Sequence, residues 1–444
     1  MKIRYILSSV ALASLSLTSC SDLDTAPEGN IITSDKKGEI LEEMPERGLA
    51  GVRAIFQGLS AYEPNNEAFG KIERHNDIGY PSVLMFTDAN TEDVVSDPNG
   101  YNWNENSLDY SDRTYTSYES QMVWNDHYNA IYVANTVIKG YNTGEDPTNE
   151  EARFFYAQGL AARAYFYFNL AQLYQFTYKD NETKPCIPVV TDENTAKSQV
   201  EGTPCSTVEE TYTQIKSDID HAITLLEGTS YEREDKRYIS LAVAYGIRAR
   251  VNLVMQKWAD AASDAQKAID AAAAEGVTPA GIDDVKLPTF AKSTEKDWMW
   301  GILVAESDEV VQSGIVNWIS HCGTFNYGYG QYSKSRKINK KFYIKIHATD
   351  VRKGWWSGED KLNHFLPDKY NTYLKAKGFP AYTNCKFGTY DGTIGCNTNA
   401  NDIVLMRVEE MYLIKAEAMA KAGQDGKTEL ENFVKTYRDP SYTC

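Results

Sequence analysis

Residues 151–176, EARFFYAQGLAARAYFYFNLAQLYQF, constrain the fold of this chain more than any other stretch. Ala157, Leu160, Ala161, Ala164, Tyr165 and Phe168 recur at i, i+3, i+4 and i+7, the period of a helix. Alanine and glycine lie among the aromatic rings, so partner helices can approach closely. Such a helix cannot bury its apolar surface alone, and the sequence supplies partners. TVEETYTQIKSDIDHAITLL, residues 207–226, opens on Thr207 with Glu210 three residues on, a capping-box spacing, and places Tyr212, Ile215, Ile219, Ala222 and Leu226 on one face. Residues 239–274 read as two helices that break between Gln256 and Trp258.

That last pair resembles a tetratricopeptide repeat. Gly246 and Ala249 lie in its first helix, Trp258 at the turn, and Ala261, Ala265 and Ala268 in its second. No strict 34-residue period exists, so the repeats are degenerate. Helical spacing also marks 41–62, 122–139 (Val123, Tyr128, Ile131, Ala134, Val137, Ile138), 404–421 and 427–437. Segment 77–118, dense in Asp, Asn, Pro and Gly, reads as long loop, and Pro185, Pro188 and Pro204 punctuate a linker. From about 276 to 403 turn residues multiply, and runs such as DWMWGILVA look like isolated strands. The expected class is mainly α: degenerate tetratricopeptide-like helical pairs forming a scaffold over 41–275 and 404–438, with a loop-rich insert containing short strands over 276–403.

The N-terminus carries Lys2 and Arg4, an apolar run too short to span a bilayer, and then Leu17, Thr18, Ser19 and Cys20. These four residues resemble a bacterial lipobox, which implies a signal peptide over 1–19, cleavage before Cys20, and lipid attachment at Cys20. Residues 20–40 then read as a flexible tether, and 41–444 as one domain. The formal charge is −17 and becomes −19 once Lys2 and Arg4 are lost. That balance repels nucleic acid and anionic lipid and suits a neutral ligand. Six further cysteines permit disulfides in an exported protein; they allow fifteen complete pairings, which the sequence does not fix, and Cys186–Cys205 and Cys385–Cys396 would close short loops. No strong metal signature is present. His321 with Cys322 reads as structural or solvent-exposed, and calcium stays open for acidic loops such as Asp88 to Asp97, although no EF-hand pattern appears. No cofactor is expected.

RVEEMYLIKAEAMAKAG at 407–423, ARAYFYFNLAQLYQF at 162–176, the 207–226 helix and ATDVRKGWW at 348–356, taken together and in order, resemble the SusD/RagB family of nutrient-binding outer-membrane lipoproteins. The resemblance spans nearly the whole chain after the signal. It implies a surface lipoprotein, anchored in the outer membrane and facing the exterior, that binds glycan or peptide. It also implies a partner, a SusC-like TonB-dependent transporter over which the lipoprotein acts as a lid. Members of the family usually continue beyond the segment matching ENFVKTYRDPSYTC, so a truncated C-terminus is expected.

Stacking on a sugar ring needs flat apolar faces flanked by hydrogen-bonding side chains. Two loops offer them. Residues 97–110 supply Tyr101 and Trp103 with Asn104, and residues 313–332 supply Trp318, Phe325, Tyr327 and Tyr329 with Asn317, among glycines that permit close backbone approach. Three functions follow in order: an oligosaccharide-binding lipoprotein serving a transporter, or a peptide-binding member of the same family; a surface glycoside hydrolase using a carboxylate pair such as Asp109 with Asp112 or Glu409 with Glu417; and a helical adaptor with no small ligand. The first needs no catalytic residue.

Overall fold

The computed structural model describes residues 34–60, 74–91, 94–96, 101–334 and 336–444. The export signal, Cys20 and residues 20–33 of the tether lie outside them. The scaffold is built from α1 (Ser34–Glu43), α2 (Leu49–Gln57), α3 (Tyr80–Ala89), α4 (Tyr118–Tyr141), α5 (Glu150–Tyr174), α6 (Val208–Glu227), α7 (Leu241–Val254) and α8 (Trp258–Ala274). In the insert come two short helices, α9 (Trp318–Cys322) and α10 (Tyr329–Ser333), and then α11 (Asp368–Lys377). α12 (Val408–Lys421) and α13 (Gly426–Tyr437) return to the scaffold. Further short helical turns lie between these, and two antiparallel strand pairs form: β1 (Pro185–Pro188) with β2 (Cys205–Thr207), and β3 (Trp298–Ile302) with β4 (Ile403–Arg407).

The helix that opened the sequence reading sits at the centre. α5 starts where the Asn149 side chain accepts from the backbone N–H of Glu151 and Ala152, and it is buried around most of its circumference between α4 and α6. Gly159 explains the closeness: a Cβ there would lie 2.9 Å from Ile138 Cγ1 and 3.3 Å from the Ala134 carbonyl oxygen of α4. The Thr207–Glu210 capping box of α6 is formed, with bonds of 3.2 and 2.8 Å. α7 and α8 pack antiparallel about the Gln256 break, and α12 packs on both. Arginine clamps tie successive helices. Arg163 of α5 is bidentate to Asp218 of α6 (2.8 Å each) and reaches Asp192; Arg248 of α7 is bidentate to Asp264 of α8 (2.9 and 2.7 Å); Arg250 of α7 pairs with Glu410 of α12 (2.6 and 2.5 Å).

Several boundaries differ from the sequence reading. α1 begins at Ser34, so the last residues of the expected tether, 34–40, belong to a helix. The 77–118 segment contains α3 and a short helix at Glu105–Leu108, because Pro81 in the first turn of α3 favours that helix instead of breaking it. The helix expected from 404 starts at Val408. Residues 403–407 are β4, which pairs with the DWMWGILVA run, so that strand is not isolated and its Trp298 and Trp300 are fully buried. The proline linker supplies both strands of the β1–β2 ladder. Neither suggested disulfide is formed. Cys186, Cys205, Cys322, Cys385, Cys396 and Cys444 are all free, and the buried Cys385 and Cys396 thiols instead face the backbone oxygens of Thr383 and Thr398.

A buried ionic network joins β3, β4, α12 and the chain end. Arg407 pairs with Asp297 (3.0 Å) and Glu409 (3.1 Å), and Glu409 also accepts from Arg438 (3.0 Å) and from the Ala280 backbone N–H (3.0 Å). Burial, with Glu409 close by, raises the Asp297 carboxyl to about 7.

Candidate functional site

The two aromatic loops meet. Beneath their junction lies a column of rings from three separate segments: Trp103 stacks on His75 (centroids 4.9 Å apart, 29°), His75 Nδ1 is hydrogen-bonded to the Tyr329 hydroxyl, and Tyr329 stacks on His321 (4.9 Å, 23°). Backbone contacts fix it. Asn76 Nδ2 donates to the Trp103 oxygen (2.8 Å), His321 Nε2 lies 2.7 Å from the His75 oxygen, and Arg336 Nε donates to the His321 oxygen (3.0 Å). Burial, and then the adjacent Arg336 guanidinium, lower His321 to about 3, so this ring is neutral at physiological pH.

Above the column three tyrosines are exposed together. Tyr101 lies 5.6 Å from Tyr332 at 37°, and Tyr332 lies 5.8 Å from Tyr327, edge to face. Each keeps between 43% and 54% of its surface open to solvent, which leaves ring faces available to a ligand. The Tyr327 backbone is bonded on both sides. Tyr327 N–H donates to the Cys396 oxygen (2.8 Å), and the Tyr327 oxygen accepts from Asn399 Nδ2 (3.0 Å). Gly330 permits the fold between α9 and α10, because a Cβ there would lie 2.4 Å from the Gly323 carbonyl oxygen. In the loop 101–107, Asn102 Oδ1, Trp103 Nε1, Asn104 Nδ2 and Ser107 Oγ are buried without a hydrogen-bond partner among the described residues.

Of the eight residues singled out in sequence, Tyr101 and Tyr327 lie on this face. Trp103 is half-buried and Tyr329 buried in the column below, where they support the face instead of forming it. Trp318 is 9% exposed, set edge-on to Phe387 (5.2 Å, 85°), with Nε1–H donated to the Asn401 oxygen (3.0 Å). It pins the insert and offers no face to a ligand. Phe325 is buried against Tyr370 (4.9 Å) and Tyr373. Asn317 caps α9 by accepting from Ser320 N–H (2.9 Å), and Asn104 is buried. Sequence reasoning missed Tyr332 at the centre of the cluster, whose signal was its place in the same aromatic run. It also missed His75, for which neither spacing nor neighbours gave one.

Charge departs from the whole-chain reading as well. Segment 334–386 holds thirteen Lys and Arg against four Asp and Glu, a net +9 interleaved with Phe, Tyr and Trp, so the rest of the chain carries −26. Among the described residues no group of three or more His, Cys, Asp or Glu could hold a metal ion. Of the carboxylate pairs proposed for hydrolysis, Asp112 is buried while Asp109 is exposed. Glu409 is locked between Arg407 and Arg438 while Glu417 points to solvent from α12.

Residues 78–253 match the family model SusD-like_3, described as starch-binding associating with outer membrane. No curated protein sequence matches. Among solved structures, a SusD-like carbohydrate binding protein from Bacteroides vulgatus superposes with a TM-score of 0.71 at 22% identity, over 90% of this chain and 76% of that one. A SusD superfamily protein from the same organism gives 0.67 at 17% identity, covering 90% and 81%. A laminarin binding SusD-like protein gives 0.53 at 17%, covering 89% and 85%. Among the described residues no helix is long and apolar enough to cross a membrane.

Proposed function

We propose that this chain, whose residues 78–253 match a SusD-like family model, captures oligosaccharide on the Tyr101–Tyr332–Tyr327 face and delivers it to a SusC-like TonB-dependent transporter, while anchored through Cys20 to the outside of the outer membrane. The observation that carries the reading is the meeting of two loops, more than 200 residues apart in sequence, which brings three half-exposed tyrosines together over a stacked column of rings. The relatives described as carbohydrate binding and laminarin binding support a glycan over a peptide. No catalysis is invoked, and the locked Glu409 supports a capture role over hydrolysis.

The expected affinity is modest. Two or three rings that each bury roughly 80 Å² of apolar surface, at about 25 cal/mol per Å², give ~4–6 kcal/mol before association costs, hence micromolar to millimolar binding. Weak capture suits a protein that hands its ligand on. Calorimetric titration with an oligosaccharide panel, with reducing ends assayed in parallel, tests this: saturable binding without new reducing ends is expected. Tyr332→Ala should lower affinity by more than tenfold. Appearance of new reducing ends would point to the hydrolase instead, and binding only by peptides to the other branch of the family.

A further inference from the structure

Resting on that reading, we propose that the tyrosine face selects acidic oligosaccharides, chains bearing uronate or sulfate groups, with Lys334 and Lys377 as their cationic contacts. The overall acidity of the chain conceals this, because the +9 is carried by segment 334–386, which begins two residues after Tyr332. Internal ion pairs do not consume the excess. Lys340 and Arg352 are paired with Glu359 and Asp350, whereas Lys334, Lys369, Lys375 and Lys377 have no carboxylate within ion-pair distance among the described residues.

Two of these lysines are placed beside the tyrosines. Lys334 follows Tyr332 by two residues, and its Nζ lies against the end of α11, 3.6 Å from where a Cβ on Gly378 would be. Lys377 Nζ is 5.8 Å from the centroid of Tyr373. Tyr373 accepts at its hydroxyl from Gln331 Nε2 (3.0 Å), next in sequence to Tyr332. Burial and then the charge of Tyr332 raise the Tyr373 phenol. The ammonium groups therefore border the Tyr332 end of the face. At the Tyr327 end, Asp391 is occupied in a turn, accepting from Thr393 N–H (2.8 Å). Lys375 and Lys377 also complement the α11 dipole, which fixes where they stand but neutralises little of their charge. A neutral ligand would find this arrangement indifferent, whereas a saccharide with an anionic group at one end would be both stacked and paired.

The test is titration of the folded chain with hexagalacturonate, a heparin hexasaccharide and neutral laminarihexaose, each at low and high salt, on wild type, Tyr332→Ala and the double variant Lys334→Gln/Lys377→Gln. One of the two acidic probes should bind more tightly than the neutral one and weaken as salt rises. The double variant should lower the acidic-to-neutral affinity ratio about tenfold, the sum of two exposed charge contacts. Equal or better binding of laminarihexaose, lost in Tyr332→Ala, would overturn acidic selectivity and leave the glycan site standing. Acidic binding indifferent to Tyr332→Ala and matched by phosphatidylglycerol vesicles would overturn it in favour of a lipid-facing cationic surface. No binding by a chain that circular dichroism shows folded would overturn both this inference and the glycan reading.

Discussion

Trp318 separates a pinning aromatic from a ligand-binding one. Replacing it with alanine removes a ring that is 9% exposed, its edge contact with Phe387, and the hydrogen bond that satisfies the Asn401 oxygen. Truncation of a buried Trp costs about 3–5 kcal/mol, and the orphaned carbonyl adds roughly 1 kcal/mol unless water reaches it. Tyr332, half-exposed, should cost less than ~1 kcal/mol by the same substitution, since most of its surface is already wet. Urea unfolding followed by tryptophan fluorescence and circular dichroism reads both: the midpoint should fall clearly for Trp318→Ala and little for Tyr332→Ala. Glycan affinity, measured under conditions where each variant is folded, should show the reverse order. A Trp318→Ala protein that keeps its stability but loses its ligand would refute this assignment and return Trp318 to the binding face.

Three further outcomes follow from the packing. Glu409→Gln leaves Arg407 and Arg438 short of a counter-charge and should lower stability by about 2–4 kcal/mol in the same unfolding assay, whereas Glu417→Gln should do almost nothing. Gly159→Val, which drives a branched side chain into Ile138 and the Ala134 carbonyl, should cost about 2 kcal/mol or more; an unchanged midpoint would mean that α4 and α5 can separate freely. The pH dependence has two opposed parts. Asp297 is raised to about 7 in the folded chain, so the native state binds its proton more tightly and stability falls as pH rises from about 4 to 7, a decline that Asp297→Asn should remove. His127 and His321 are lowered to about 4 and 3, so stability falls as pH drops below the ordinary histidine value of about 6.5, and their imidazole resonances should stay neutral at pH 5.

The scaffold was legible in the sequence because its signal is local. The capping box at Thr207, the break at Gln256 and the small-residue faces of α5, α7 and α8 are properties of short windows, and the helices lie where those windows put them. β4 was not legible. Ile403–Arg407 runs directly into a helix, and only its partner, some 105 residues earlier, makes it a strand. The same holds at the site. Tyr101 and Tyr327 could be named as loop aromatics, but exposure is decided by tertiary packing, and Trp318 and Phe325 carry the same local signal while filling the interior. The cationic insert was present in the composition but cancelled by the acids elsewhere, which a whole-chain sum cannot reveal.

The β3–β4 pair has a consequence for how such a chain can change. Ile302 and Ile403 are partners in the ladder, so the hundred residues between them leave and re-enter the scaffold one strand spacing apart, about 5 Å. A segment hinged on two adjacent stems can lengthen, shorten or exchange its sequence with small effect on the helices that carry it, since loop closure depends only weakly on length. The insert's share of the tyrosine face, Tyr327 and Tyr332, is in that sense a cassette, while Tyr101 is supplied from outside it. Its ring positions and its charge can be rewritten for a new ligand while the arginine-clamped helices beneath stay as they are.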